Sequence, residues 1–173
     1  MAKQTFELVS PFLSIYAPSR TWGGANNLLL GQTVNHLVPG EFLSLTSSYS
    51  VERGSSDQVP SFAFFSEPGR GDLVTGGKIP VLQFGPYEAD TSVYLRDANG
   101  EPHADFGVGV AVAVTDVQNP SDPTNVAVPC RGIQPVTQAA QGDYIVGYVS
   151  RITGSGVNQK IRIICGGIGS QKA

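Results

Sequence analysis

The feature of this sequence that most constrains its fold is a long alternation of side-chain character over residues 43–51, with Ser47 as its one polar residue on the apolar side. The odd positions carry Leu, Leu, Ser, Tyr and Val, whereas the even positions carry only serine and threonine. Successive side chains of a β-strand point to opposite faces of a sheet, so this alternation predicts one strand with a core face and a polar face. Pro39-Gly40 before it and the glycine and serine residues after it are typical of turns.

Residues 87–95 give a second prediction of the same kind. The side chains expected on its inner face are Tyr87, Ala89, Val93 and Leu95. The following residues 97–100, Asp-Ala-Asn-Gly, are expected to turn the chain, because Asn-Gly tolerates the positive φ that tight turns need.

Three further segments have strong strand patterns. Residues 107–114 place valine at every even position and glycine or alanine at every odd one, which predicts a core strand or one packed closely at a subunit contact. Residues 144–152 and 160–165 are predicted to form a hairpin around a long mobile loop. In its second strand Lys160 and Arg162 share one face. The opposite face carries Ile161, Ile163 and Cys165.

The remaining elements are short. Further strands are expected at residues 62–65, 79–84 and 126–128, and helix is expected only as short pieces at 136–141 and within 26–37. This balance predicts an all-β protein.

Residues 1–38 have a different hydrophobic pattern from residues 39–173. Their apolar residues are interrupted by prolines and glycines and follow no clear period. We interpret 1–38 as an N-terminal arm or covering segment and 39–173 as the β-rich domain. The arm would extend over a neighbouring subunit, or it would be a strand that covers the chain's own barrel.

The composition excludes several classes of protein. Hydrophobic residues make up 40% of the chain, which is too apolar for intrinsic disorder, and a net charge of −3 argues against a nucleic-acid partner. No apolar run is long enough for a secretory signal or a membrane span, so synthesis in an ordinary cytosol without a membrane partner is expected.

Candidate catalytic and binding residues are few. His103 and Asp105 would share a strand face, but a metal site needs at least three converging ligands, so we expect a solvated turn there. His36 has no local acid beside it, and the glycine-rich residues 71–78 lack the spacing and the helix of a phosphate loop. We therefore expect no catalytic residue, no metal and no cofactor.

Two short sequence features do not indicate a functional site. Cys165 continues an apolar face and is expected to be a buried thiol, although a disulfide with Cys130 remains open. Arg70-Gly71-Asp72 matches an integrin-binding tripeptide, but so short a motif is expected by chance.

The chain resembles the capsid decoration, or cement, proteins of tailed bacteriophages. The resemblance lies in the broken N-terminal segment, in residues 38–45 (Val-Pro-Gly-Glu-Phe-Leu-Ser-Leu) and in residues 141–149 (Gln-Gly-Asp-Tyr-Ile-Val-Gly-Tyr-Val). It touches about a third of the chain. The chain is longer than the smallest decoration proteins.

The resemblance implies a compact β-barrel or β-tulip-like domain with an extended N-terminal arm. It implies a non-enzymatic virion protein that binds the outer capsid surface, has the major capsid protein as partner and self-associates as a homotrimer. The aromatic and aliphatic residues expected at its protein interface are Phe6, Leu8, Phe12, Tyr16 and Trp22. Deletion of residues 1–20 is then expected to abolish particle binding and to leave the barrel folded.

Two other classes of function stay open at this point. Another phage structural component, such as a head–tail connector or a tail protein, would share this composition. A small β-barrel ligand-binding module or enzyme would need a pocket with converging polar groups, which the sequence does not indicate.

Overall fold

The computed structural model describes residues 6–11, 19–22, 35–36, 38, 40–45, 50–53, 61–64, 72–73, 78–82, 87–118 and 130–171. Most of these residues lie in β-strands, so the all-β prediction is confirmed. The strands are β1 (Phe6–Pro11), β2 (Ser19–Trp22), β3 (Asn35–His36), β4 (Phe42–Leu45), β5 (Ser50–Glu52), β6 (Ser61–Phe64), β7 (Asp72–Leu73), β8 (Lys78–Leu82), β9 (Tyr87–Thr91), β10 (Ala111–Val117), β11 (Cys130–Pro135), β12 (Tyr144–Thr153) and β13 (Lys160–Gln171).

The largest sheet contains six strands in the order β1-β9-β13-β12-β10-β11. Every neighbouring pair in it is antiparallel. The β12–β13 pair is the predicted hairpin, and it is confirmed. The loop between its strands contains a short 3-10 turn, Gly156–Asn158.

Five shorter strands pair with one another in the order β2-β5-β4-β6-β8, and β8 pairs in turn with β2. We call this set the five-strand ring. Four of its ladders are antiparallel, and only the β2–β5 ladder is parallel. A separate two-strand ladder joins β3 to β7.

The chain beyond β9 crosses to the far edge of the six-stranded sheet, where it lies beside β11. There Leu95 donates its backbone N–H to the carbonyl of Ile133 in β11, and Ile133 donates its own N–H to the carbonyl of Val93. A parallel bridge between Tyr94 and Ile133 accompanies these bonds. All six residues of β11 are buried, because the strand has β10 on one side and this segment on the other.

The main core lies on the inner face of the six-stranded sheet and is shared with the five-strand ring. Phe42 of β4 and Leu82 of β8 pack into the same cluster as the inward side chains of the large sheet. Those side chains include Tyr87, Ala89, Val112, Val114, Val149, Ile161, Ile163 and Cys165. The sheet and the ring therefore exclude water from one continuous apolar volume.

The predicted turn at residues 97–100 is confirmed. Gly100 has a φ of +79° and donates its N–H to the Asp97 carbonyl at 3.0 Å. The Asp97 carboxylate accepts from the backbone N–H groups of Asn99 and Glu101, both at 2.9 Å. A side chain that satisfies two turn amides in this way explains the Asp at this position.

Two predicted strands are divided or shortened in the structure. Residues 43–51 do not form one strand, because β4 and β5 are antiparallel partners with Leu45 opposite Val51. Residues 107–110 form a turn instead of the start of a strand, so β10 begins only at Ala111. Gly109 has a φ of +84° there, and Val108 is 73% exposed.

Two further predictions need correction. Residues 92–95 leave the β9 ladder, and Tyr94 is buried, although strict alternation places it opposite the predicted inner face of Tyr87, Ala89, Val93 and Leu95. Thr91 Oγ1 accepts the Val93 N–H at the end of the ladder, and residues 93–95 pair with Ile133 of β11 instead. The short helix expected at 136–141 is only a 3-10 turn, Val136–Gln138.

The described parts of the N-terminal third belong to the chain's own sheets. β1 pairs with β9, and β2 pairs with β5 and β8. The strand expected at 126–128 lies outside the described residues, and in the described ranges no helix has the length and hydropathy of a membrane span.

We predict that Gly147→Ala destabilises the protein by about 1–3 kcal/mol, because overpacking forces backbone shifts. A Cβ atom at Gly147 would overlap the backbone oxygen of Ile164 on the paired strand β13. Gly166→Ala is the matched control on that same strand, since a Cβ there meets nothing within 4 Å. Urea unfolding of both variants measures the difference, and equal stability of the two would contradict the described register.

Candidate functional site

The structure places three of the five predicted interface residues on strands of the chain's own sheets. Phe6 and Leu8 lie in β1, opposite Thr91 and Ala89 of β9, and Trp22 lies in β2, opposite Val51. Phe12 and Tyr16 lie outside the described residues. The backbone at Phe6, Leu8 and Trp22 is therefore part of the fold.

A different set of apolar side chains is exposed on the six-stranded sheet. Tyr148 of β12 is 57% exposed and Ile164 of β13 is 38% exposed, and the two are direct partners across the β12–β13 ladder. Ala111 of β10 is the partner of Tyr148 on its other side. Because directly opposite residues share a sheet face, these three side chains form one row, which we call the Tyr148–Ile164 patch.

Ion pairs and hydrogen bonds fix the strands beside this patch. Arg162 of β13 donates from Nε and Nη2 to the two carboxylate oxygens of Asp90, at 2.8 and 2.9 Å. Ser150 Oγ donates to Glu88 Oε1 at 2.7 Å. Parallel guanidinium–carboxylate bonds of this kind add geometric specificity, so the patch lies on a well-ordered surface.

The sequence contained a signal for this patch that the prediction did not use. Ile164 has the same strand parity as Arg162, which was assigned to the polar face, and a large aliphatic side chain at such a position is expected to be exposed. Tyr148 had no comparable signal, because register shifts in β12 interrupt its alternation.

A buried carboxylate joins the five-strand ring to the six-stranded sheet. Glu41, just before β4, is fully buried. Its oxygens accept from the backbone N–H of Val38 at 3.0 Å and from that of Arg131 in β11 at 3.1 Å. They also accept from Arg53 Nε and, at 3.1 Å, from Arg53 Nη2. Each oxygen thus has two donors, as a buried charge requires.

The charged side chains around Glu41 are paired with groups of opposite charge. Burial alone lowers the pKa of the Arg53 guanidinium, but attraction and hydrogen bonding to Glu41 raise it, with smaller contributions from Cys130 and Asp116, so the net pKa is raised. Arg131 forms its own ion pair with Asp116, at 3.0 Å. The cluster has the properties of a structural ion-pair network.

The structure brings His103 and Asp105 together at an exposed turn. His103 Nδ1 accepts the Asp105 backbone N–H at 3.3 Å and lies 3.9 Å from the Asp105 carboxylate. Hydrogen bonds from Thr137 and Gln138, with a smaller contribution from His103, lower the pKa of Asp105. Among the described residues no group of three His, Cys, Asp or Glu side chains could hold a metal ion.

Two sequence motifs, the Arg70-Gly71-Asp72 tripeptide and the glycine-rich residues 71–78, lie only partly within the described residues. Asp72 of the Arg70-Gly71-Asp72 tripeptide lies in β7, opposite His36 of β3, and Lys78 begins β8. Arg70 and Gly71 lie outside the described residues.

Both cysteines are free and buried, so the disulfide that the sequence left open is not formed. Burial raises the pKa of the Cys165 thiol to about 12, and a hydrogen bond with Tyr87 acts in the opposite direction. Burial also raises the pKa of Cys130, with a further contribution from Glu41. Neutral, enclosed thiols of this kind are unreactive.

We predict that Glu41→Gln lowers the free energy of unfolding by about 3 kcal/mol, because it leaves the Arg53 charge without its partner. Glu88→Gln is the matched control, since Glu88 is only half-buried and its described partner is Ser150. Urea unfolding measures both variants. A loss at Glu88 as large as that at Glu41 would contradict the assignment of Glu41 as the connection between the sheets.

We predict that the Cys165 contribution to stability is lost at high pH. In the unfolded chain the thiol ionises near its ordinary pKa of 9.0, whereas in the folded protein it does so at about 12. The raised folded pKa stabilises the fold below pH 9.0, and this stabilisation disappears as the pH rises towards about 12. Urea unfolding over this pH range checks the slope, and Cys165→Ala should flatten it.

Comparisons of the chain with protein-family models, with curated proteins and with solved structures give no match.

Proposed function

We propose that this chain is a non-enzymatic virion structural protein that binds the outer surface of a bacteriophage head. In this role it clamps neighbouring capsomers and stabilises the head against internal pressure. The observation that carries the proposal is the Tyr148–Ile164 patch, an exposed apolar row held on a rigid sheet face. Apolar and aromatic side chains of this kind provide most of the binding energy at protein interfaces.

The proposed partner is the major capsid protein, and the proposed assembly is a homotrimer on the capsid surface. In this proposal the domain is a compact β-barrel or β-tulip-like unit, and the closed pairing order of the five-strand ring supports it. Repeated copies on a symmetric particle would add modest contacts through avidity, so a small patch on each copy is sufficient.

The proposed role of the N-terminal residues needs a refined test. Deletion of residues 1–20 would remove β1 from the edge of β9 and the first residues of β2 from the five-strand ring. The deletion would therefore expose an unpaired edge and affect folding together with binding. Substitutions on an exposed face separate the two effects.

We predict that the protein co-sediments with virion-sized particles when a lysate of its natural source is separated by rate-zonal sedimentation. Immunodetection across the gradient locates the chain, and its copy number per particle distinguishes a decoration protein from a head–tail connector. Recovery only at the top of a gradient that contains intact particles would contradict a virion role.

A pair of matched variants tests the surface. Tyr148→Ser combined with Ile164→Thr should weaken particle binding at least about tenfold, because removal of interface anchors commonly costs more than 1 kcal/mol. Val108→Thr, at a 73% exposed valine in the turn before β10, is the control and should bind normally. Normal binding by the double variant would exclude the Tyr148–Ile164 patch as the contact.

A further inference from the structure

The exposed turn at residues 97–101 carries the one Asn–Gly pair of the sequence, Asn99-Gly100. Asn99 is exposed, and its side-chain nitrogen donates to Asp97 Oδ2 at 3.4 Å. Gly100 has a φ of +79°, and a Cβ atom there would lie 3.2 Å from Val157. Both the backbone conformation and the packing against Val157 therefore favour glycine at position 100.

We propose that Asn99 is a site of spontaneous deamidation. The deprotonated Gly100 nitrogen attacks Asn99 Cγ, the Cγ–Nδ2 bond breaks, and the side-chain nitrogen leaves as ammonia with the proton that Gly100 lost. Water then opens the resulting succinimide ring at either carbonyl and gives aspartate or isoaspartate. The net reaction consumes one water and releases one ammonia, and it needs no oxidant or reductant.

The reaction is favoured here because the attacking nitrogen belongs to a residue without a Cβ atom and the amide lies in water. One contact opposes it. The Gly100 N–H donates to the Asp97 carbonyl at 3.0 Å, so the turn must open before the nitrogen can attack. The Asp97 carboxylate holds the turn closed through its bonds to Asn99 and Glu101.

The product would disturb a contact between two loops. Arg96 Nη1 donates to the Gly100 carbonyl and, at 3.3 Å, to that of Val157 in the β12–β13 loop. The guanidinium lies 4.4 Å from the centre of the Tyr94 ring, and the Tyr94 hydroxyl donates to the Gln159 carbonyl at 2.8 Å. Isoaspartate inserts a methylene into the backbone beside Gly100 and places a new carboxylate against Asp97. Both changes displace the carbonyl that Arg96 binds.

We predict that native protein aged for several weeks at mildly alkaline pH gains the mass of an amide-to-acid conversion in the peptide that contains Asn99. Asn158, an exposed asparagine followed by Gln159, is the internal control. Conversion at Asn99 should be at least about tenfold faster, a barrier difference of roughly 1.4 kcal/mol. Equal rates at the two sites, or no conversion at Asn99, would overturn the proposal.

Two variants sharpen the test. Asp97→Ala removes the carboxylate that holds the turn and should accelerate the conversion, whereas Asn99→Gln should abolish it. Hydrogen exchange at residues 157–159 reports the second part of the proposal. Faster exchange in the aged protein than in Asn99→Asp supports displacement by the inserted methylene. Unchanged exchange after full conversion would overturn the coupling between the loops.

Discussion

The bonds of the Glu41 carboxylate hold together the two halves of the described structure. Glu41 precedes β4 of the five-strand ring, Arg53 follows β5 of the same ring, and Arg131 lies in β11 of the six-stranded sheet. A single buried side chain therefore joins three segments, of which the one that contains Arg131 is 90 residues away in the sequence. Hydrophobic burial at Phe42 and Leu82 supplies non-directional attraction between the same parts, whereas the carboxylate selects one relative arrangement.

The outer face of the large sheet shows a complementary division of roles. Directional bonds between Arg162 and Asp90 and between Ser150 and Glu88 set the geometry of the strands. The neighbouring Tyr148 and Ile164 have apolar surface that no described side chain covers fully. Binding to a rigid face of this kind costs little conformational entropy, because its backbone is already ordered by the ladders on both sides. This low entropic cost of binding is the physical basis of the proposed role as a surface-binding structural protein.

Much of the secondary structure followed from the alternation of side chains, and the failures have specific causes. The β12–β13 hairpin was predictable because a loop rich in glycine and polar residues separates two segments rich in β-branched and aromatic residues. The single strand predicted at residues 43–51 is wrong because the chain reverses between β4 and β5. Leu45 pairs with Val51 across this reversal, so odd-numbered residues share one face in both strands and the alternation in the sequence is not interrupted. Tyr94 does not follow the predicted alternation because β9 ends at Thr91 and the next residues pair with Ile133 of β11. No local pattern marks Glu41, since its most distant described partner, Arg131, is 90 residues away.

The crossing of the chain after β9 has a consequence for the order of folding. Val93 and Leu95 pair with Ile133 on the edge of β11 that β10 leaves free, and the residues of this parallel contact lie farther apart in the sequence than the partners of the β10–β11 ladder. Loop-closure entropy increases with sequence separation, so this contact is expected to form after the more local β10–β11 ladder. Until then β11 presents an unpaired edge, and the apolar residues around it are accessible to other chains. The segment that completes the sheet therefore also determines how long the newly made protein is vulnerable to aggregation.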